Sequence, residues 1–406
     1  MRLPFPESLA PENRALLRDF AVLGGIASLG LLIAYILLAR WTPPFPRDGS
    51  SLVVGRDFLN FWMYGRAALS HAPQNFYDPH LYNAVLRTML GNDYLGQNWS
   101  YPPHIMLFAT PFGLLPYLGA LLCWTGGSVA IFAKSGIARL HEPAMLLPLL
   151  AAPAVAFCLI SGQSSLVTAA MLVTIFAWLD RRPIGAGVLI GLLTLKPQLG
   201  FLFPVILIAS NRWRVFAVAS VTAMMLFAVT TVLFGLDVWE QYLRLGLPVQ
   251  NAVLEDPRLI AAPFIPTVFM NLHAAGLAYG PAMTLQGCVS LLAVATVFWA
   301  FRTHRDVNPQ ILQALFFACS IAATPYLLSY DTLPLVFAAV MLLANTSVDA
   351  TGRNLIKLVF WLPFLQYIFG KFHIPAPAFI APAVAVWIAM RLTSKLQVAG
   401  PTATAA

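Results

Sequence analysis

Charged side chains are scarce in this sequence. Only 10% of its 406 residues are Asp, Glu, Lys or Arg, where a soluble domain carries roughly 25%. So few charges cannot clothe a water-facing surface, which excludes a self-contained soluble globular protein. Acids are the scarcer sign, 16 against 24 Lys and Arg, for a formal charge of +8. The basic excess does not point to nucleic acid, because Arg and Lys stand singly or in pairs between apolar runs, as topology signals do. Cysteine is rare too: Cys123, Cys158, Cys288 and Cys319 lie far apart, inside or at the ends of apolar runs. That spacing excludes a disulfide scaffold and reads as small core residues. The sequence also lacks an H-E-x-x-H, an Asp-x-Asp, paired cysteines and a glycine-rich phosphate loop. No zinc or nucleotide–metal site is therefore expected, and no cofactor, with a divalent cation left open. There is no fixed-period repeat. The Ala/Thr-rich end, 401–406, is expected to be a disordered tail after a single domain spanning 1–400.

What the sequence has is hydrocarbon: 59% of residues are hydrophobic and mean hydropathy is +0.76. A bilayer crossing takes about 20 apolar residues. Runs broken by charge, Pro or Gly give the spans Phe20–Ala39, Ile105–Trp124, Ala144–Ile160, Ser165–Leu179, Ile184–Leu195, Leu199–Ile208, Val215–Phe234, Ala282–Phe301, Ile311–Tyr326, Thr332–Ala344, Leu355–Phe369 and Ala378–Met390. The fold expected is an all-α polytopic membrane protein of about twelve helical elements. The first run ends at Arg40-Trp41-Thr42-Pro43-Pro44 without a small-residue cleavage site, so it is expected to stay as the first span.

The Lys/Arg bias sets orientation. With the N-terminus inside, Lys134 and Arg139, Arg181 and Arg182, Arg212 and Arg214, Arg302 and Arg305, Arg353 and Lys357, and Arg391 and Lys395 all fall on the cytoplasmic side. That holds only if the chain turns back at Lys196-Pro197-Gln198, making 184–208 two half-length helices rather than one kinked span. Asp57, Gln163, Lys196, Tyr330, Asp331 and His373 then all lie on the outer side.

One polar stretch, Arg56–Phe108, interrupts the apolar chain within a long outer loop, 40–104. After Asp57, the residues Phe58, Phe61, Trp62, Ala68 and Leu69 recur at roughly helical spacing, predicting an amphipathic helix lying in the membrane interface. A partly desolvated carboxylate at its start can act as a general base; an Asp there can equally cap the helix. Lys196, alone in the longest apolar stretch, needs a cavity or a partner. It is placed to bind an anionic group such as a phosphate, or to snorkel beside the helix break. Gln163 in SGQSS, and Tyr330 and Asp331 in a short outer loop, can bind sugar hydroxyls or cap helices.

Taken in order, these pieces resemble glycosyltransferase family 87, within the GT-C superfamily of membrane glycosyltransferases. The matching features are Asp57-Phe58, Tyr64, Ala68-Leu69 and Tyr77-Asp78; Tyr101-Pro102-Pro103; Gly162 to Leu166; Leu195 to Gln198; and Ser329 to Asp331. The resemblance implies a GT-C-like bundle and an inverting enzyme. It implies a polyprenyl-phosphate sugar as donor, a lipid-linked or glycan acceptor, no nucleotide, and a site on the outer face of a bacterial inner membrane. It makes Asp57 the catalytic base and Lys196 a donor-phosphate ligand, with Arg56 and Arg258 as further cations for that phosphate. Tyr64, Tyr101 and His104 join Gln163, Tyr330 and Asp331 as substrate-binding candidates. The late outer loop carries Tyr330-Asp331 in place of the His-containing motif of mannosyl-transferring relatives, so the sugar is left as mannose or an arabinofuranose-like pentose. The alternative is a multi-pass lipid or sugar transporter or flippase, which a broken helix pair and an intramembrane Lys also suit.

Overall fold

The computed structural model describes residues 5–255 and 262–393. Arg258 and the tail 401–406 lie outside the described residues. The described chain is helical, with no β-strand beyond two isolated bridges, Arg40 to Arg47 and Arg47 to Val53. Five helices are long and apolar enough to cross a bilayer: Pro11–Leu38, Tyr117–Leu140, Trp213–Phe234, Tyr279–Thr303 and Ala376–Thr393. Pro143–Leu150 and Pro153–Ser161 form an apolar helix pair bent by 65°, with the geometry of a broken span or a re-entrant loop. The shorter apolar helices Ser165–Trp178, Pro183–Leu195, Pro197–Ala209, Pro309–Ala323 and Ser329–Asn345, with Ala350–Lys371, complete the all-α polytopic bundle.

A helix that is apolar all round belongs either in a core or against lipid, and this chain uses both. Every residue from Ile311 to Ala323 is buried. By contrast, only 11% of the most apolar window is buried in Pro11–Leu38 and in Trp213–Phe234. Their exposed Ile26, Leu37, Val232 and Leu233 suit a lipid-facing rim.

The turn at Lys196 is present. Gly187 lies against Val215 and Val218, and Gly191 against Ala219 and Thr222. The numbering rises together, so Pro183–Leu195 runs parallel to Trp213–Phe234. The segment joining them must run back, and Asp180 meets Arg212 at 2.8 Å where it arrives. The glycine pair, four residues apart, lets the parallel backbones approach, as small residues do between membrane helices. At the same end Arg305 donates to the Ala209 carbonyl at 3.1 Å, and Asn13 to that of Leu343 at 3.0 Å. One end of the bundle therefore gathers the basic clusters, and Lys196 sits at the other.

Two expectations need correcting. The span Ile105–Trp124 does not exist as one helix. It breaks between Ile105–Gly113 and Tyr117–Leu140, because Pro116 cannot continue the ladder; the crossing helix starts at Tyr117 and carries Lys134 and Arg139 near its far end. The helix after Asp57, Phe58–Ala68, does not lay its apolar face on the bilayer. Phe58, Leu59, Trp62, Met63 and Tyr64 are buried in the protein's own second core. The helix packs on Ile105–Gly113 through Gly65 and Gly113, where a Cβ on either glycine would overlap the other's backbone or that of Ala109.

The parallel packing makes a testable contrast. A Cβ on Gly191 would sit 2.5 Å from that of Thr222, whereas one on Gly126 would meet nothing within 4 Å. Gly191→Ala is expected to cost about 1–3 kcal/mol and lower the Tm in detergent by several degrees, while Gly126→Ala leaves it unchanged. Equal Tm values would mean that the two helices do not pack this way.

Candidate active site

Asp57 directly precedes Phe58–Ala68 with helical backbone angles, and its side chain makes no capping bond. The carboxylate is turned elsewhere. Its Oδ2 accepts from Gln163 Nε2 at 2.9 Å and from the Tyr330 hydroxyl at 3.0 Å. Its Oδ1 has no hydrogen bond among the described residues.

Each partner is held by its own local structure. Gln163 follows Gly162, which ends Pro153–Ser161 in the left-handed region at φ 62°. A side chain there would be strained, and its Cβ would lie 2.5 Å from that of Phe58 and 2.8 Å from the Gly55 carbonyl. Glycine is what lets this turn reach the start of the Asp57 helix. The Gln163 amide is committed at both ends, its Oε1 accepting from the Tyr101 hydroxyl at 3.2 Å and from Ser164 N at 3.3 Å. Tyr101 is fixed by its backbone: its N–H donates to the Tyr64 hydroxyl at 2.7 Å, and its carbonyl accepts from the Tyr77 hydroxyl at 2.8 Å. Tyr64 and Tyr77, fully buried, thus brace the Tyr-Pro-Pro loop.

The second half of the site is an ion pair. Asp331 Oδ1 accepts from Lys196 Nζ at 2.9 Å and from Ser165 Oγ at 2.5 Å, and both charged side chains are under 5% exposed. Tyr330 links the halves: its hydroxyl reaches Asp57, and its ring centre lies 5.7 Å from the Lys196 ammonium. Lys196 therefore has a partner, and that partner is Asp331 rather than Asp57.

Beside Asp57 opens a recess of about 30 Å³, with Asp57, Gln163 and Ser164 on its polar side and Phe61, Tyr101 and Trp124 on its aromatic side. A water needs about 10–15 Å³, so the recess holds about two waters. Burial pushes the Asp57 carboxyl above its usual value, opposed by the Gln163 and Tyr330 bonds and by the charges of Lys196 and Arg56.

The other sequence candidates are placed differently. His104 does not line the recess; it stacks on Trp239 with ring centres 5.8 Å apart. Burial lowers its pKa to about 4. The Thr194 hydroxyl gives its proton to the Gly191 carbonyl at 2.7 Å, so His104 Nε2, 3.2 Å away, must be the donor between them. Arg56 is bound to buried Asp48 at 2.7 Å and lies over the Tyr35 ring. Among the described residues no three His, Cys, Asp or Glu side chains gather as metal ligands do. Sequence reasoning passed over Asp48, Ser165, Phe61 and Trp124. Asp48 could have been noticed as the acid of an Asp-Gly-Ser turn, since its Oδ1 accepts from Ser50 N and Leu52 N. Ser165 lies within the quoted GQSSL run. Phe61 and Trp124 look like any core aromatics until the fold brings them to Asp57.

The buried pair makes a prediction. Lys196→Met leaves Asp331 charged and buried without its counter-ion, and is expected to cost about 3–5 kcal/mol. Lys196→Met combined with Asp331→Leu is expected to regain most of that stability, read as Tm in detergent. A double variant no more stable than the single one would mean the two side chains do not pair.

Comparison with known proteins comes down to one match. The family model for glycosyltransferase family 87 matches residues 99–329, more than half of the chain. No curated protein and no solved structure matches. The matched stretch contains Tyr101, His104, Gln163 and Lys196; Asp57 precedes it, and Tyr330 and Asp331 follow it.

Proposed function

Because the chain belongs to glycosyltransferase family 87 and is thereby a glycosyltransferase, we propose that it takes a sugar from a polyprenyl-phosphate donor and transfers it, with inversion, to a lipid-linked or glycan acceptor. The donor sugar is mannose or an arabinofuranose-like pentose. The reaction is proposed to proceed at the membrane end opposite the basic clusters, on the outer face of a bacterial inner membrane, an orientation that the positive-inside bias supports. The reading calls for no organic cofactor, with a divalent cation left open.

The observation that carries this reading is the Asp57 carboxylate. One oxygen is fixed by Gln163 and Tyr330, the other is free of hydrogen bonds among the described residues, and the group borders the recess. Its basicity is raised by burial, which suits a general base. In the step proposed, an acceptor hydroxyl gives its proton to Asp57 Oδ1 while its oxygen bonds the anomeric carbon. The bond from that carbon to the phosphate oxygen breaks, and the electron pair leaves with the polyprenyl phosphate. A phosphate needs no proton to leave, so one carboxylate suffices, and attack from the far side inverts the centre.

Charge on the leaving phosphate has to be met. A lysine has three N–H donors, and Asp331 uses one of those on Lys196. The remaining two are proposed to reach the phosphate, with Arg56 contributing from the base of the loop. Gln163 and Tyr330, whose polar atoms are engaged with Asp57, are proposed to orient the base; sugar hydroxyls fall to Tyr101, Asp331 and the backbone around them.

Two measurements test this. Asp57→Asn, folded and inserted, is expected to lower transfer from a radiolabelled polyprenyl-phosphate sugar by about 10²–10⁴-fold; normal transfer would overturn the mechanism. Tyr330→Phe removes a bond to the charged form of Asp57 and so raises its pKa further. The base form then appears only at higher pH, and the acid limb of kcat/KM is expected to move up from its wild-type position. A limb that stays in place, or moves down, would disconnect Tyr330 from the base.

A further inference from the structure

The turn that carries Tyr330 and Asp331 follows a break in the chain. Pro309–Ala323 stops just before Pro325, because a residue preceding proline is pushed out of the helical region; Thr324 is extended, at φ −92° and ψ 134°. The chain stays non-helical to Leu328 and then turns through Ser329–Thr332. A helix end leaves its last carbonyls without partners inside the helix. Here Ala322, Ala323 and Thr324 are buried, so side chains from elsewhere have to supply the donors.

The donors come from two elements. Gln286, on Tyr279–Thr303 and 1% exposed, donates from Nε2 to the Ala322 carbonyl at 2.9 Å. One turn on, the Ser290 hydroxyl lies 2.6 Å from the Ala323 carbonyl. From the segment 262–274, the Thr267 hydroxyl donates to the Pro325 carbonyl at 2.9 Å, and the Phe264 carbonyl accepts from Ser329 Oγ at 2.7 Å. Gln286 also joins these two supports, since its Oε1 accepts from Phe269 N at 3.0 Å. Asn271, in the same segment, accepts from Gln366 Nε2 at 3.1 Å, which anchors the segment to Ala350–Lys371. A buried amide is costly unless bonded, and Gln286 is engaged at both ends.

We infer that Gln286 is a positioning residue for the transfer site. It touches no reacting group and acts through the break at 324–328, which sets where the Tyr330 hydroxyl stands against Asp57. That contact is 3.0 Å long, and a hydrogen bond weakens steeply once its geometry slips. Freeing Ala322 and Phe269 together lets the turn drift, and Asp57 Oδ2 then keeps only the bond from Gln163. A leucine in place of Gln286 fills a similar volume and holds neither segment. This role rests on the reading of Asp57 as the base, and the experiment keeps the two apart.

Full-length Gln286→Leu in detergent is compared with the wild type in two readouts. Hydrogen exchange across 324–332, read by mass spectrometry, is expected to rise several-fold. Transfer from a radiolabelled polyprenyl-phosphate sugar to acceptors of a membrane extract is expected to fall about tenfold or more at saturating donor. The acid limb of kcat/KM is expected to move up, as in Tyr330→Phe, because fewer bonds to the charged form raise the pKa of Asp57. In the double variant with Tyr330→Phe the limb is expected no higher than in Tyr330→Phe alone, since both act through one hydroxyl. Gly352→Ala, at the end of the basic clusters, brings a Cβ 2.2 Å from the Trp387 ring and controls for lost stability: its Tm is expected to fall with the exchange and the limb in place. Unchanged exchange across 324–332 in Gln286→Leu, a limb that stays or moves down, or a double variant that moves beyond Tyr330→Phe would overturn the role of Gln286. Transfer retained in Asp57→Asn would overturn the base instead, and the exchange alone would then decide whether Gln286 holds the Tyr330 turn.

Discussion

The pairing of Lys196 with Asp331 is the constraint on which the end of the bundle opposite the basic clusters depends. In hydrocarbon-rich surroundings a lone ammonium has nowhere to discharge its field, and a lone carboxylate is as costly. Together they are tolerable, and they are under 5% exposed. The pair ties the tip of the hairpin formed by Pro183–Leu195 and Pro197–Ala209 to the short turn at Ser329–Thr332. Ser165 adds a third point by donating to the same oxygen from the start of Ser165–Trp178. Three segments far apart in sequence are thereby fixed relative to one another. Tyr330, next to the pair, hands that fixity on to Asp57.

Asp57 and Asp331 have different partners. Asp331 has two donors on one oxygen, one of them charged. Asp57 has only neutral donors, with the cations Lys196 and Arg56 each engaged by another acid. Burial therefore wins at Asp57 and raises its proton affinity. A buried carboxylate held by neutral donors alone is suited to taking up a proton.

Much of this was legible in the sequence, and the reasons are physical. Apolar runs and the Lys/Arg bias carry over to about twelve helical elements and to the turn at Lys196, because a bilayer imposes both length and sign on the chain. Asp57, Gln163, Lys196, Tyr330 and Asp331 stand out as polar residues in an apolar chain, and the fold brings them together. What the sequence could not convey was pairing. Periodicity says that Phe58, Trp62 and Phe61 share a face, but not whether lipid or protein covers it; the answer lay in Gly65 and Gly113, which let Ile105–Gly113 come close enough. Nor does a run such as Ile105–Trp124 reveal that Pro116 divides it into a buried helix and a crossing one. In the sequence Arg56 looks like a free cation because its acid, Asp48, sits eight residues away in a turn whose order comes from its own hydrogen bonds.

The size of the recess has a further consequence. With Asp57 as the proposed base, a space for about two waters beside it is also a space for the wrong nucleophile, since water activated there would attack the donor and waste the sugar. A snug fit cannot exclude a molecule smaller than the one it was built for. Protection would then come from order: a donor held away from Asp57 until the acceptor has entered the recess and displaced the water. With Asp57 as the base, the fidelity of the enzyme is then set by the sequence in which its substrates arrive.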